Sequence, residues 1–386
     1  MTAAQPAGAP GGGDAHPTGA PIRIAIVDDS RTMRRILESW LGIEPGFAIV
    51  GHCENGRDAV DRIRALRAEI VLLDIEMPEM NGLEALPELV RLVPDLQVIM
   101  ASQLTTRQAE ISLKALAIGA ADYVAKPGSV LSQDEFSQFR MDIAAKVRHL
   151  GEALRRKRGE PLPAAWKMRT ADGCAESPKP RGGPIVLRPP APGPFRTLAI
   201  GSSTGGPKAL QHFLERLRRP LPVPVLIAQH MPPTFTPILA EHLGRHLDIP
   251  CAEGRDGECP RAGRIYIAPG DRHMVVEAAG EGMVIRITRD PPQNFCRPAV
   301  DPLFRSLAAV DGPGTVCVVL TGMGSDGAKG AQAVVEAGGC VLAQDEASSV
   351  VWGMPGAAAS AGLCCAVDPL PALADRVDAF LKGAAR

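Results

Sequence analysis

TLAIGSSTGGPKAL, residues 197–210, runs from a short apolar segment through a turn of glycine and serine into a helix-forming stretch. A strand that meets a helix through so tight a turn belongs to an α/β fold, and side chains on such a turn stand above the carboxyl edge of the sheet. Gly201, Ser202, Ser203, Thr204 and Gly205 spell G-x-S-x-G there. The central Ser203 is therefore a candidate nucleophile, placed where the free N–H groups of a helix start favour developing negative charge. Its neighbour Ser202 is a rival. Glycine turns after strands also cradle phosphates, but the letters count against that use. A P-loop requires G-x-x-x-x-G-K-[ST], and Pro207 separates Gly206 from Lys208; GMGSDGAKG at 322–330 misses in the same way, with Ala328 between Gly327 and Lys329. Neither run gives a dinucleotide fingerprint in the right position after its strand.

Around this turn the same alternation continues. TLAIG, PVLIAQH, RIYIAPG, TVCVVLTG and CVLAQD read as strands of one parallel sheet. A nucleophilic serine needs a base, and the base needs an orienting acid. His230 ends the second of these strands and Asp326 follows the fourth, so Ser203, His230 and Asp326 are the candidate triad. Their chain order, Ser then His then Asp, differs from the Ser, Asp, His order of α/β-hydrolases. His273, after RIYIAPGDR, is the rival base. The backbone N–H groups of Thr204 and Met323 are the candidate oxyanion donors.

The first part of the chain carries a second constellation. IRIAIV, FAIVGHC, EIVLLD, QVIMAS and ADYVAKP are apolar runs separated by amphipathic segments, as in a doubly wound parallel sheet. Asp28 and Asp29 follow the first run, Asp74 ends the third, Ser102 ends the fourth and Lys126 the fifth. Carboxyl ends of such strands converge, and three carboxylates brought together repel unless a hard cation such as Mg²⁺ holds them. A nucleophilic Asp, a metal, a lysine and a hydroxyl are what phosphoryl transfer to a carboxylate requires.

Length and composition frame both sites. A chain of 386 residues suggests about two domains. A formal net charge of −1, from 42 Lys+Arg against 43 Asp+Glu, gives no general attraction to nucleic acid or acidic lipid. No run of about 18 apolar residues argues for a membrane span. The nine cysteines contain no C-x-x-C pair, which fits a reduced cytosol. Residues 1–20 read as a disordered tail, 21–149 as the first domain, 150–194 as a Pro-, Gly- and Arg-rich linker with a short docking helix near Leu150, and 195–386 as the second domain. His242 and His246 with Cys251 and Cys259 lack the spacing of a zinc site. The RRKR run at 155–158 reads as a solvated or docking face, and Trp352 and Met354 as packing or substrate-wall residues.

VDDSRTMRR, LLDIEMPEMNGLE, IMASQLT and YVAKP resemble the receiver domains of response regulators over roughly the first 150 residues. The resemblance implies a flavodoxin-like fold and phosphorylation of Asp74 by a histidine kinase of the CheA type. It further implies Mg²⁺ on Asp29 and Asp74, with Asp28 through water and the Glu76 carbonyl completing the shell, and Ser102, Tyr123 and Lys126 as switch residues. Asn81 stands where many receivers have Asp. In the second part LAIGSSTGG, LIAQHMPPTFT, YIAPGDRHM, RPAVDPLFRS, VLTGMGSDGA and SSVVWGMPG are similar to the chemotaxis protein-glutamate methylesterase (CheB) family. That likeness implies a Rossmann-like α/β catalytic domain that hydrolyses glutamate γ-methyl esters, and deamidates glutamines, on the cytoplasmic helices of chemoreceptors. It implies Ser203, His230 and Asp326 as the triad, no cofactor for hydrolysis, a cytoplasmic location, no nucleic acid, no membrane insertion, and inhibition by the receiver until Asp74 is phosphorylated. Two other classes compete with this reading: an adaptor that binds receptors without chemistry, and a DNA-binding regulator, for which no helix-turn-helix or basic face is evident.

Overall fold

The computed structural model describes residues 19–103, 105–126, 133–168, 185–280 and 282–382. Most of the expected N-terminal tail, and residues 169–184 of the expected linker, lie outside them. The first domain runs β1 (Ile22–Val27), α1 (Arg31–Gly42), β2 (Phe47–Cys53), α2 (Gly56–Leu66), β3 (Ile70–Asp74), α3 (Gly82–Leu92), β4 (Gln97–Gln103), α4 (Thr106–Ile118), β5 (Asp122–Lys126) and α5 (Gln133–Lys157). Its five strands are parallel in the order β2-β1-β3-β4-β5. The order reverses between β1 and β3, and Asp28 and Asp74 stand at the ends of those two strands. Ile24, Ile26 and Leu72 fill the sheet face, each worth about 1.5–3 kcal/mol of transfer free energy on burial. Asn81 caps α3: its side chain accepts from Glu84 N while Glu84 reaches back to Asn81 N, so the departure from Asp serves the turn.

Helix α5 continues through Lys157, past the expected domain end at residue 149. Phe139, Ile143, Val147, Leu150 and Leu154 form its buried stripe, at helical spacing throughout. The RRKR run supplies its last turn, with Arg158 just past the end, and docks within the chain. Arg155 Nη2 lies 2.9 Å from Glu69, Arg158 reaches Glu69 and Asp95, and Lys157 reaches Asp95. A short α6 (Ala164–Met168) then folds back on the first domain, where Trp166 meets Phe47 edge-on and donates to Pro45 O at 2.6 Å.

The second domain comprises β6 (Thr197–Ser202), α7 (Gly206–Glu215), β7 (Val225–Gln229), α8 (Thr236–Leu247), β8 (Cys251–Glu253), β9 (Ile265–Ile267), β10 (His273–Ala279), β11 (Gly282–Thr288), α9 (Val300–Asp311), β12 (Thr315–Val319), α10 (Ala328–Glu336), β13 (Cys340–Gln344), α11 (Met354–Ser360), β14 (Ala366–Asp368) and α12 (Leu370–Leu381). Seven strands form a parallel sheet in the order β14-β13-β12-β6-β7-β9-β8. From β6 the chain first builds toward β8 and later returns to build β12 to β14 on the other side. The crevice between β6 and β12 is thus the topological switch point, where an open α/β sheet places its ligand. The short β8 and β14 and the β10–β11 hairpin were not among the strands expected from the sequence.

The two domains pack directly on each other. Helix α4 lies against α7 and α8, and Leu113 and Tyr123 share one apolar cluster with Phe235 and Ile238.

Candidate functional site

Three neighbouring strands bring the proposed triad positions together. Ser202 pairs with Gln229, so Ser203 and His230 follow adjacent strand ends, and Val319 of β12 pairs with Gly201 on the other side. The turn after β6 is tightly held. Ser203 N donates to Thr321 O at 3.0 Å, and Ser203 O accepts from Gln229 Nε2 at 3.0 Å and from Gly206 N at 2.7 Å. Gly205 sits at φ 74°, and a Cβ on Gly322 would come within 2.9 Å of the Ser203 Cβ, so the TGMG turn after β12 presses directly on the serine. Met354 is fully buried beneath Gly322, and the half-buried Trp352 donates to Gln344 O at 2.9 Å.

The acid is the most heavily bonded group of the set. Asp326 Oδ2 lies 2.7 Å from His230 Nε2 and accepts from Val300 N at 2.6 Å. Oδ1 accepts from Asn294 Nδ2, Asp301 N and Gly327 N at 2.9, 3.1 and 2.9 Å. Burial opposes its charge, but the His230 bond and the N–H groups at the start of α9 outweigh that and hold the carboxyl at about 2. With Nε2 engaged by the acid, Nδ1 is the ring nitrogen left for the serine. Cys296 lies near enough to the same ring to act on its charge. Burial in itself lowers the His230 pKa, yet Cys296 and Asp326 together raise it to about 10. Ser203 Oγ makes no hydrogen bond among the described residues, and neither do Thr204 N and Met323 N, which leaves those two donors available.

The rivals sit in different surroundings. Ser202 is fully buried and donates to Gln229 Oε1 at 2.6 Å, which points it into the sheet. His273 is fully buried with both ring nitrogens engaged: Nδ1 accepts from Ala299 N at 3.2 Å and Nε2 lies 3.2 Å from Pro291 O. Burial foremost lowers its pKa, and it braces the 291–299 segment as a neutral side chain. That segment supplies Asn294 and Cys296, and α9 supplies Asp301, whose Oδ1 accepts from Gly327 N and Gly330 N. None of these three was among the expected site residues; Asn294 and Cys296 sit in irregular chain with no periodic signal. Among the described residues, His242, His246, Cys251 and Cys259 form no metal-capable group.

In the first domain the expected acidic cluster is present. Ligand atoms of Asp28, Asp29 and Asp74 lie within 4.8 Å of one another. Lys126 Nζ is 2.7 Å from Asp28 Oδ2 and 2.8 Å from Asp74 Oδ1. Burial, ahead of the opposing Lys126 charge, raises the Asp74 pKa. Ser102 Oγ is buried without a partner. Three clustered carboxylates with an orphaned hydroxyl fit a divalent cation and a phosphoryl group. Glu76 is exposed at the same rim.

Tyr123 and its neighbours carry the contact between the domains. The Tyr123 ring stacks on Phe235 at 4.4 Å between centroids, with 12° between planes. Asp122 Oδ2 accepts from Thr204 Oγ1 at 2.7 Å and lies 3.2 Å from Lys146 Nζ. Thr204 follows the candidate nucleophile, and Phe235 is five residues beyond His230. The first domain therefore rests on the elbow itself.

Comparison with known proteins supplies an independent view. A family model described as CheB methylesterase matches residues 198–377, and one described as response regulator receiver domain matches 24–133. A protein-glutamate methylesterase/protein-glutamine glutaminase of Paramagnetospirillum magneticum is 49% identical over 360 residues, covering 92% of this chain and 94% of that protein. A relative of the same description from Rhodopseudomonas palustris is 48% identical, covering 94% and 95%. The crystal structure of the Thermotoga maritima CheB methylesterase catalytic domain is 36% identical, covering 48% of this chain and 99% of its own, with a TM-score of 0.47.

Proposed function

The chain belongs to the CheB methylesterase family, with a receiver domain ahead of the catalytic domain, and from that membership we propose how its residues perform and restrain the reaction. It is a protein-glutamate methylesterase and protein-glutamine glutaminase under receiver control. What supports our assignment of roles is that Ser203 and His230 follow the adjacent ends of β6 and β7, and that Asp326, from the turn after β12, lies 2.7 Å from His230.

Ser203 Oγ attacks the γ-carbonyl carbon of the modified glutamate while His230 Nδ1 takes the hydroxyl proton. Asp326 holds the ring by Nε2 and offsets the imidazolium charge. The tetrahedral oxyanion is received by Thr204 N and Met323 N. Collapse expels methanol, which leaves with the proton from His230; a glutamine would release ammonia by the same path. Water, deprotonated by His230, then cleaves the acyl-serine and restores Ser203. Nothing in this sequence of steps calls on a cofactor.

The receiver acts by occupying the elbow. Asp74 takes the phosphoryl group from a histidine kinase of the CheA type. Asp28, Asp29, Asp74 and the Glu76 carbonyl would hold the Mg²⁺ that neutralises the phosphoryl oxygens, and Lys126 and Ser102 read the new charge. Movement of Tyr123 toward Ser102 withdraws it from Phe235 and loosens the Asp122–Thr204 contact. The substrate is the cytoplasmic helical part of a chemoreceptor, which places the enzyme in the cytoplasm; no described helix is long and apolar enough to cross a membrane.

The test is release of radiolabelled methanol from methylated receptor membranes, with and without a small phosphodonor and Mg²⁺. The wild-type chain releases methanol faster when phosphorylated. Ser203→Ala and His230→Ala reduce release to background in folded protein; turnover surviving either substitution overturns the assignment.

A further inference from the structure

Beside the triad, Gln293 and Cys296 form an antiparallel bridge, with Gln293 N donating to Cys296 O at 3.1 Å and Cys296 N to Gln293 O at 2.9 Å. The two residues between them, Asn294 and Phe295, sit at φ 51° and 63°. A two-residue tip with both φ values positive is the type I′ arrangement, which favours Asn followed by Gly. Asn stands in its expected place. A phenylalanine occupies the glycine position, where a bulky L-residue is strained. Packing within the chain returns none of that strain, because the Phe295 ring is 100% exposed.

The tip is nevertheless held in strict register with the chemistry. Asn294 Nδ2 donates to Asp326 Oδ1 at 2.9 Å and to Asp301 Oδ2 at 3.1 Å. Gln293 Oε1 accepts from Arg305 at 2.5 Å. Asn294, the first residue of the tip, thus touches the orienting acid, while the Phe295 side chain beside it is fully exposed among the described residues. Strain at a site-proximal tip, without an internal contact to offset it, points to an external one.

We propose that Phe295 is the anchor by which the catalytic domain docks on its substrate protein: the ring seats between apolar side chains of the receptor helix about one turn from the esterified glutamate and sets the ester carbonyl against Ser203. This rests on the methylesterase reading above and adds the contact that selects a protein substrate over a small ester. A helix presents side chains three and four residues apart on one face, so a ring fixed relative to the triad reads both distance and direction along that helix. An aromatic anchor gives a large contact area for few frozen torsions. The receiver leaves the ring uncovered, so the contact exists whether or not the elbow is free.

The experiment compares wild type, Phe295→Gly and Phe295→Ser as full-length, phosphodonor-treated proteins. Three substrates are used: a soluble methylated cytoplasmic receptor fragment, the same receptor in membranes, and p-nitrophenyl acetate. Both variants are expected to raise KM for the soluble fragment by about 10-fold or more, as loss of an anchor residue does. Their kcat on the fragment and their rate on p-nitrophenyl acetate stay at wild-type values, and Phe295→Gly melts no lower than wild type because the strain is relieved. An unchanged KM for the fragment overturns the proposal. So does an equal loss on p-nitrophenyl acetate, which would make Phe295 a support of the site, and so does a loss confined to membrane-embedded receptor, which would make it a lipid contact. Failure of the wild-type chain to release methanol overturns the methylesterase reading and this contact with it.

Discussion

Replacing Thr204 by valine removes one hydroxyl and leaves the backbone N–H beside Ser203 in place. In the receiver-covered form that hydroxyl donates to Asp122 Oδ2 at 2.7 Å, and both residues are buried. The ion pair of Asp122 with Lys146 lies wholly within the receiver and persists when the domains part, so of these two contacts of Asp122 only the Thr204 bond is lost on opening. A hydrogen bond to a charged group contributes about 1.5–3 kcal/mol, and leaving a buried carboxylate without it has a cost of the same order. Each 1.4 kcal/mol is a factor of ten, so Thr204→Val shifts the balance toward the open form by about 10- to 150-fold. Unphosphorylated methanol release from methylated receptor membranes therefore rises by up to that factor, with the phosphorylated rate as its ceiling. Asp122→Ala gives a rise of the same kind, and the double variant adds little to either, because both remove one contact. An unphosphorylated rate equal to wild type, in a variant that reaches the normal phosphorylated rate, refutes the reasoning.

Further outcomes follow from other contacts. Asp74→Asn abolishes stimulation by phosphodonor and Mg²⁺ while leaving the basal rate unchanged, checked by methanol release alongside phosphate incorporation. A chain beginning at residue 185, which removes the receiver together with α5 and α6, has higher basal esterase activity than the full chain; lower activity in a folded fragment would contradict receiver inhibition. His230 must be neutral to accept the serine proton, so the rate climbs with pH through its pKa. Burial lowers that pKa while Cys296 and Asp326 raise it to about 10, so Cys296→Ala moves the acid limb of kcat/KM to lower pH. Ser202→Ala retains substantial turnover, since its hydroxyl bonds Gln229 inside the sheet; a loss as deep as that of Ser203→Ala would reopen the choice of nucleophile.

The strands and the turns that follow them were legible because apolar runs ending in Gly, Ser, Asp or His have few other interpretations in an α/β chain. Ser203, His230 and Asp326 stood out as candidates for that reason, as did the acidic residues of the receiver. What the sequence concealed depended on long-range contact. Nothing local distinguishes His230 from His273; only the fold shows that one faces Asp326 and the other has both nitrogens bound in a loop. Asn294 and Cys296 lie in a segment without periodicity, so their approach to the triad carried no signal. The true end of α5 did carry one. Residues 139, 143, 147, 150 and 154 keep helical spacing into the basic run, whose composition suggested a linker because its acidic partners, Glu69 and Asp95, lie far back in the chain.

The apolar cluster shared by Leu113, Tyr123, Phe235 and Ile238 ties activation to water as well as to charge. Parting the domains wets that surface, and hydrated apolar area carries a positive heat capacity. Because such hydration becomes less unfavourable on cooling, the closed form loses part of its advantage in the cold. An enzyme restrained in this way has a resting output that depends on temperature even when no kinase is signalling, and its restraint is firmest in warmth rather than in the cold.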